Sequence, residues 1–384
     1  MLLVTGKGGT GKTTLAAATA VHVADTGAHT LVVSTDGAHS LGDVLGRRLR
    51  SEPEAVTATL SAQEINAQAL LDSSWTTICS YIEQILEWAG VDTLQAGELA
   101  VVPGLEELLA LGAVGRQAKG DWDVVVVDCA PTAETVRLLA LPATLDYYIG
   151  KVLPSHRRLA RSVAPLLRRT PAMPPAPTGV LDAALHLAGQ IAALHQVLTD
   201  PAVTTTRLVT TPESLVISET QRAWGYLSLF GHLVDSVIVN RVAPCETDDT
   251  WLSRCSAAQR PHLERIDDQF GVLVRAHAPI SPTEIVGIDA LRAFAAEVYG
   301  DGDALAPAPD GHCDRATTES PQNFSLPLPG LQRDDVQLAQ VGSSLLVTAG
   351  PYRRAVDLPD EFRDRGAIGA QVVNGRLEVE FAIS

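Results

Sequence analysis

Gly6-Lys7-Gly8-Gly9-Thr10-Gly11-Lys12-Thr13 is the stretch whose reading decides the fold. It satisfies G-x-x-x-x-G-K-[ST] between a short apolar strand, residues 2–5, and an Ala-rich helical run over 12–26 that ends at Gly27. In that context Gly6, Gly8, Gly9 and Gly11 let successive backbone N–H groups turn inward onto phosphate oxygens. The helix N-terminus adds its positive dipole end. Lys12 then reaches the β- and γ-phosphates, Thr10 and Thr14 line the phosphate cradle, and the Thr13 hydroxyl completes a Mg²⁺ shell. ATP with Mg²⁺ is the expected ligand; a glycine-rich turn with a solvated lysine is the plainer competing reading.

Working outward, strands read at 29–34, 122–127, 206–210, 235–239 and 271–275, with helices at 213–230, 256–269 and 284–298. The Val124-Val125-Val126-Val127 run suits a strand buried on both faces. The alternation predicts an α/β fold, a doubly wound parallel sheet with helices on both faces. Residues 54–118 and 145–200 carry no buried-strand signature and read as helical insertions forming a subdomain of an ATPase unit spanning 1–299. Within the second insertion, 151–175 holds six basic residues, among them Lys151 and Arg161, and no acid. Leu159, Val163 and Leu166 make it amphipathic, either as a solvated face or as a contact for an acidic partner or anionic lipid headgroups. Residues 300–322, rich in Pro, Asp and Gly, read as a linker, and the short alternating strands of 323–384 as a small all-β sandwich.

The chain has 384 residues, 46% hydrophobic and 19% charged, so a large core is available and wholesale disorder is excluded. Its net charge, −16, argues against a nucleic-acid partner. No apolar run is long enough to span a bilayer and no secretory leader is legible, so a cytoplasmic location is expected. Cys79, Cys129, Cys245, Cys255 and Cys313 are odd in number and scattered, which suits a reducing compartment. Of 29 basic residues only four are lysines, and two of these, Lys7 and Lys12, share the glycine loop. Lys7 makes the deviant form K-G-G-x-G-K-T-T, in which the extra lysine acts across a dimer interface in the manner of an arginine finger.

Two further segments follow strand ends: Ser34-Thr35-Asp36-Gly37-Ala38-His39-Ser40-Leu41 and Asp128-Cys129-Ala130-Pro131-Thr132-Ala133-Glu134-Thr135-Val136-Arg137-Leu138-Leu139-Ala140-Leu141-Pro142. With the glycine loop, Pro212-Glu213-Ser214-Leu215, Val239-Asn240-Arg241 and Glu284-Ile285-Val286-Gly287, they resemble the arsenical-pump ATPases and the targeting factors for tail-anchored membrane proteins. The likeness covers about residues 1–300. It implies that Asp36 orients and deprotonates the attacking water, which suits a carboxylate leaving a strand end near the γ-phosphate. It implies that Asp128 holds Mg²⁺, a use that also accounts for a carboxylate ending a buried strand. Glu213, Asn240 and Pro279 match adenosine-binding positions, and Lys7 a catalytic one. The implied partners are a second copy of the chain and a hydrophobic protein client.

Four departures bear on this. Gly37 stands where the family has Pro, and Ala133-Glu134 where it has Gly-His. The C-x-x-C that binds zinc is missing, since Leu252 stands opposite Cys255 in the pattern. Only Met1 and Met173 are present, against the family's Met-rich client groove. The tail, from Leu326-Pro327-Leu328-Pro329-Gly330 to Asn374-Gly375-Arg376-Leu377, is similar to the α-crystallin β-sandwich and reads as an interaction module or a structural cap. The first functional expectation is a dimeric ATP switch that captures and releases a client. Energising arsenite efflux, or a positioning ATPase of the septum-site and partition type, are the alternatives.

Overall fold

The computed structural model describes residues 1–35, 40–65, 80–81, 83, 105–118, 120–130, 132, 135–136, 139–140, 178–245, 248–271, 273–305, 317–320 and 322–382. In chain order the first part runs β1 (Leu2–Gly6), α1 (Lys12–Asp25), β2 (Thr30–Ser34), α2 (Ser40–Leu45), β3 (Glu54–Ala55), β4 (Leu60–Glu64), α3 (Leu105–Gln117) and β5 (Val124–Asp128). It continues α4 (Thr178–Thr199), β6 (Thr205–Thr210), α5 (Ser214–Leu229), β7 (Val234–Val242), α6 (Thr250–Phe270), β8 (Val274–Pro279) and α7 (Ile288–Tyr299). These strands form one sheet in the order β3-β4-β2-β5-β1-β6-β7-β8, parallel throughout except for β3.

The pleat sorts the two cores. Leu3, Val125 and Val127 point to one face with side chains of α3, α4, α5 and α6. Leu2, Val4 and Val126 point to the other, against α1, α2 and α7. Successive residues of one strand face opposite layers, and both layers are helical, so the middle of each central strand is apolar on both faces, as in Leu31-Val32-Val33 and Val125-Val126-Val127. This is the doubly wound sheet expected from the sequence.

Some sequence readings need correction. Residues 60–64 are a parallel strand pairing β2 from Thr30↔Leu60 to Ser34↔Glu64, inside the stretch read as helical. Its polar positions hid it: Leu60 and Ala62 enter the core, while the Gln63 amide donates to the Ser51 carbonyl and Glu64 Oε1 accepts from the Gly42 N–H at 2.8 Å. The last strand is 274–279 rather than 271–275, because α6 runs on to Phe270 and Gly271 follows as its cap. Helix α6 also starts earlier than read, at Thr250, where Asp249 Oδ1 accepts from the N–H groups of Trp251 and Leu252 at 2.8 and 2.9 Å. The basic stretch 151–175 lies outside the described residues.

The tail comprises β9 (Thr317–Ser320), β10 (Asn323–Pro327), β11 (Val336–Val341), β12 (Ser344–Ala349), β13 (Tyr352–Asp357), β14 (Ala367–Val373) and β15 (Arg376–Phe381). Two antiparallel sheets, β14-β15-β10-β9 and β11-β12-β13, enclose Phe324, Leu326, Val347, Phe362, Val379 and Phe381. The β14–β15 hairpin turns at Asn374 and Gly375, with φ of 49° and 73°, as a two-residue turn requires. The stretch read as a linker is ordered at both ends. Ala304 is buried and its carbonyl accepts from Arg207 Nη1 at 2.8 Å, while β9 pairs with β10.

Nor is the tail loosely tethered. Tyr352 lies against Tyr226 and Phe230, with ring centroids 4.8 and 6.2 Å apart. Arg354 donates to the Leu229 carbonyl, and burial pulls its guanidinium down to about 10. Ala140, Leu229 and Phe230 belong to the same apolar cluster as the tail's own core. Apolar patterning does not distinguish a tail seated on a helix from one that floats, since either buries its own sandwich.

Candidate nucleotide site

The glycine loop joins β1 to α1 where neighbouring strands leave almost no room. A Cβ on Gly6 would run into the Val209 carbonyl of β6, and one on Gly11 into the Asn240 amide of β7. Gly9 and Gly11 take φ of 80° and 88°, conformations that L side chains resist. The loop is closed on itself through one carbonyl. Lys7 O accepts from the Thr10 N–H at 3.3 Å, from Thr10 Oγ1 at 2.8 Å and from Lys12 Nζ at 3.5 Å. Lys12 is buried, whereas the Lys7 side chain is 38% exposed and pairs with Glu219 on α5 at 3.1 Å.

Around the loop the other sequence-derived residues gather unequally. Asn240 Nδ2 donates to the Thr10 carbonyl at 2.8 Å, and its Oδ1 accepts from the Arg241 N–H at 2.9 Å. Gly11, Thr14, Asn240 and Pro279 line one cavity of about 390 Å³, together with Arg241 and Ile285. Glu213 stands elsewhere, exposed at the first turn of α5. Asp128 ends β5 fully buried and accepts from Ser34 Oγ at 3.3 Å. Thr13 Oγ1 lies 3.2 Å from Ser40 Oγ. Asp36 and Glu134 fall outside the described residues. The flanks of the first segment are placed, however: the Thr35 N–H and hydroxyl both donate to the Asp128 carbonyl, and Ser40 meets Thr13.

Cys129 is buried behind this site, and burial together with the Asp128 carboxylate raises its thiol far above the usual range, so it is a poor thiolate. Among the described residues no group of three His, Cys, Asp or Glu side chains is placed to hold a metal ion. Two residues at the site are given no role by the sequence. Glu219 joins Lys7 across more than two hundred positions, and Arg241, at φ 59°, turns the chain into the cavity.

A family profile described as anion-transporting ATPase matches residues 1–300, so the whole of this sheet and its loop are accounted for together. The chain belongs to the anion-transporting ATPase family. A second profile, described as the HSP20-like domain found in these ATPases, matches residues 322–381. A Chlorobaculum tepidum protein, named provisionally as an arsenical pump-driving ATPase, is 33% identical over 94% of this chain and 90% of its own length. The ATPase GET3 of Candida glabrata is 30% identical over 79% of this chain and 91% of its own. ATPase ARSA2 of Chlamydomonas reinhardtii is 28% identical over 77% and 82%. As a member of this ATPase family the chain binds and hydrolyses ATP. No helix among the described residues is long and apolar enough to cross a membrane.

Proposed function

We propose that this chain is a homodimeric switch in which ATP, held between two copies, couples closure and reopening to the capture and release of a hydrophobic protein segment. The observation that carries the reading is the unequal placement of two lysines in one loop. Lys12 is buried at the start of α1, where it serves its own protomer's phosphates. Lys7 is 38% exposed and paired with Glu219 at the surface, where a second molecule can bring a phosphate to it. An ammonium supplied in trans stabilises charge on the transferring phosphoryl group. It also makes hydrolysis conditional on closure.

Within each protomer Gly8, Gly9, Thr10, Gly11 and Thr14 orient the phosphates. Asn240 and Pro279 border the cavity taken by the adenosine, with Glu213 at its approach in the closed dimer. Asp36 accepts the proton of the attacking water. A Mg²⁺ ion fits the oxygen donors present: the Thr13 hydroxyl and the fully buried Asp128 carboxylate would hold it, and it would neutralise phosphate charge. The insertions within 54–118 and 145–200 supply the client surface, and 151–175 a peripheral membrane contact, in a cytoplasmic protein. Relatives named as arsenical pump-driving favour a second reading, energising of anion efflux. That reading asks for converging thiols, whereas Cys129 is buried and Cys245 exposed.

The decisive measurement is light scattering with and without ATP, alongside ATPase rate against protein concentration. A dimer that forms only with ATP, and a rate per chain that rises with concentration, are expected. Lys7→Ala should bind ATP, stay monomeric and turn over slowly. A wild-type chain that is monomeric with ATP yet fully active would refute the reading.

A further inference from the structure

Both ammonium groups of the loop are already engaged within one protomer. Lys12 Nζ rests on the Lys7 carbonyl, and Lys7 Nζ on Glu219 Oε2. The helix that bears Glu219 is braced next to it, at Ser218, and nearer its start, at Ser214. Arg265 of α6 donates to Ser214 Oγ at 3.2 Å and to Ser218 Oγ at 2.9 Å. The carboxylate thus meets Lys7 at 3.1 Å from a braced helix, and one of the two side chains must swing away for the pair to part. We infer that Glu219 is a positioning residue for the trans-acting lysine: it parks Lys7 in cis in the open protomer, and ATP of the partner must win the ammonium from it.

The inference rests on the two-lysine reading above and adds the competitor that sets its threshold. A carboxylate and a partner's phosphate compete for the same ammonium, and the pair must break in each protomer for the dimer to close. An exposed pair opposes this modestly, by a factor of up to about five for each lysine, hence up to about 25-fold for a dimer. Closure then depends on salt, since exposed charges are screened over about 3 Å at 1 M. The pair thus keeps a dilute chain open and lets a concentrated, ATP-loaded one close.

The test is ATP-dependent association of the full chain, followed by light scattering with a non-hydrolysable ATP analogue, and ATPase rate against protein concentration. Glu219→Gln should lower the concentration for half-association by about 3- to 25-fold at low salt, with the gap closing at 1 M. Glu219→Lys should move it in the same direction. In a Lys7→Met background, which is expected to stay monomeric, neither substitution should restore association. If Lys7→Met abolishes association while Glu219→Gln matches wild type, or if Glu219→Gln weakens association, the parking role is refuted and the two-lysine reading survives. If Lys7→Met associates and turns over like wild type, the two-lysine reading itself fails. Circular dichroism of each variant separates these results from misfolding.

Discussion

Gly225→Ala should destabilise this protein, although Gly225 sits inside a helix, where alanine normally helps. Replacing a mid-helix glycine by alanine removes backbone freedom from the unfolded chain and gains about 1 kcal/mol. Here the new Cβ would lie 2.7 Å from the Pro329 carbonyl oxygen and 2.6 Å from Leu331 Cγ, both in the tail seated on α5. Leu331 is almost fully buried and Pro329 presents backbone, so neither can swing aside cheaply. Overpacking of this kind costs about 1–3 kcal/mol, which cancels or exceeds the gain. Gly189 of α4 is the internal control, since a Cβ there meets nothing within 4 Å. Thermal unfolding of the full chain should show Gly189→Ala raising the midpoint and Gly225→Ala lowering it, each by roughly 1–2 °C per kcal/mol for a chain of this length. Protease access to residues 306–316 should rise only in Gly225→Ala. Both variants rising together would mean that the tail does not press on α5, and the docked arrangement would be wrong.

Lys12→Ala should abolish ATP binding in a fluorescent-nucleotide titration, whereas Asp36→Asn should keep binding and lose turnover; normal turnover by Asp36→Asn would displace it as the base. Asp235 and Arg207 form a buried pair at 3.0 Å, so Asp235→Ala should cost about 3–5 kcal/mol in urea unfolding, much of it restored by adding Arg207→Met. His232, wholly buried between the carbonyls of Leu198 and Leu139, is lowered from 6.5 to about 4 by desolvation. Its unfolded form takes up a proton below pH 6.5 and its folded form does not, so stability should fall by about 3 kcal/mol from pH 6.5 to pH 4. His232→Gln should flatten that limb of the pH–stability curve, and an unchanged slope would locate the acid sensitivity elsewhere.

What the sequence made legible follows the strength of its local constraints. The Val124–Val127 run admits a strand buried on both faces and little else, and the glycine loop is tied to positive φ and close backbone approach at specific positions. Asn374-Gly375, both at positive φ, answers the same backbone demand in the β14–β15 turn. Strand β4 escaped because Ser61, Gln63 and Glu64 break its apolar pattern, and their compensation is tertiary: the Ser51 carbonyl and the Gly42 N–H come from other segments. Glu219 and the seat of the tail escaped on the same ground. A salt bridge from residue 219 to residue 7, or a tail resting on Gly225, leaves no periodicity in either partner.

Helix α5 is where these hidden contacts meet, and its sequence reconciles two demands that conflict locally. Its first two turns must hold Glu219 against the glycine loop, which the Arg265 brace achieves through two serines that are weak helix formers. Its last two turns must admit the tail at van der Waals range, which Gly225 achieves at a further cost in helix propensity. A helix with that composition is held by its neighbours more than by itself. Deleting the tail therefore uncovers Leu229 and Phe230, worth about 1.5–3 kcal/mol of burial apiece. A chain cut after residue 305 should accordingly retain the nucleotide loop, whose contacts among the described residues come from α2, β6, α5 and β7, yet melt well below the full protein. Melting at the full-length temperature would show that the tail contributes nothing to α5, while loss of ATP binding in a still-folded fragment would place the tail within the catalytic unit.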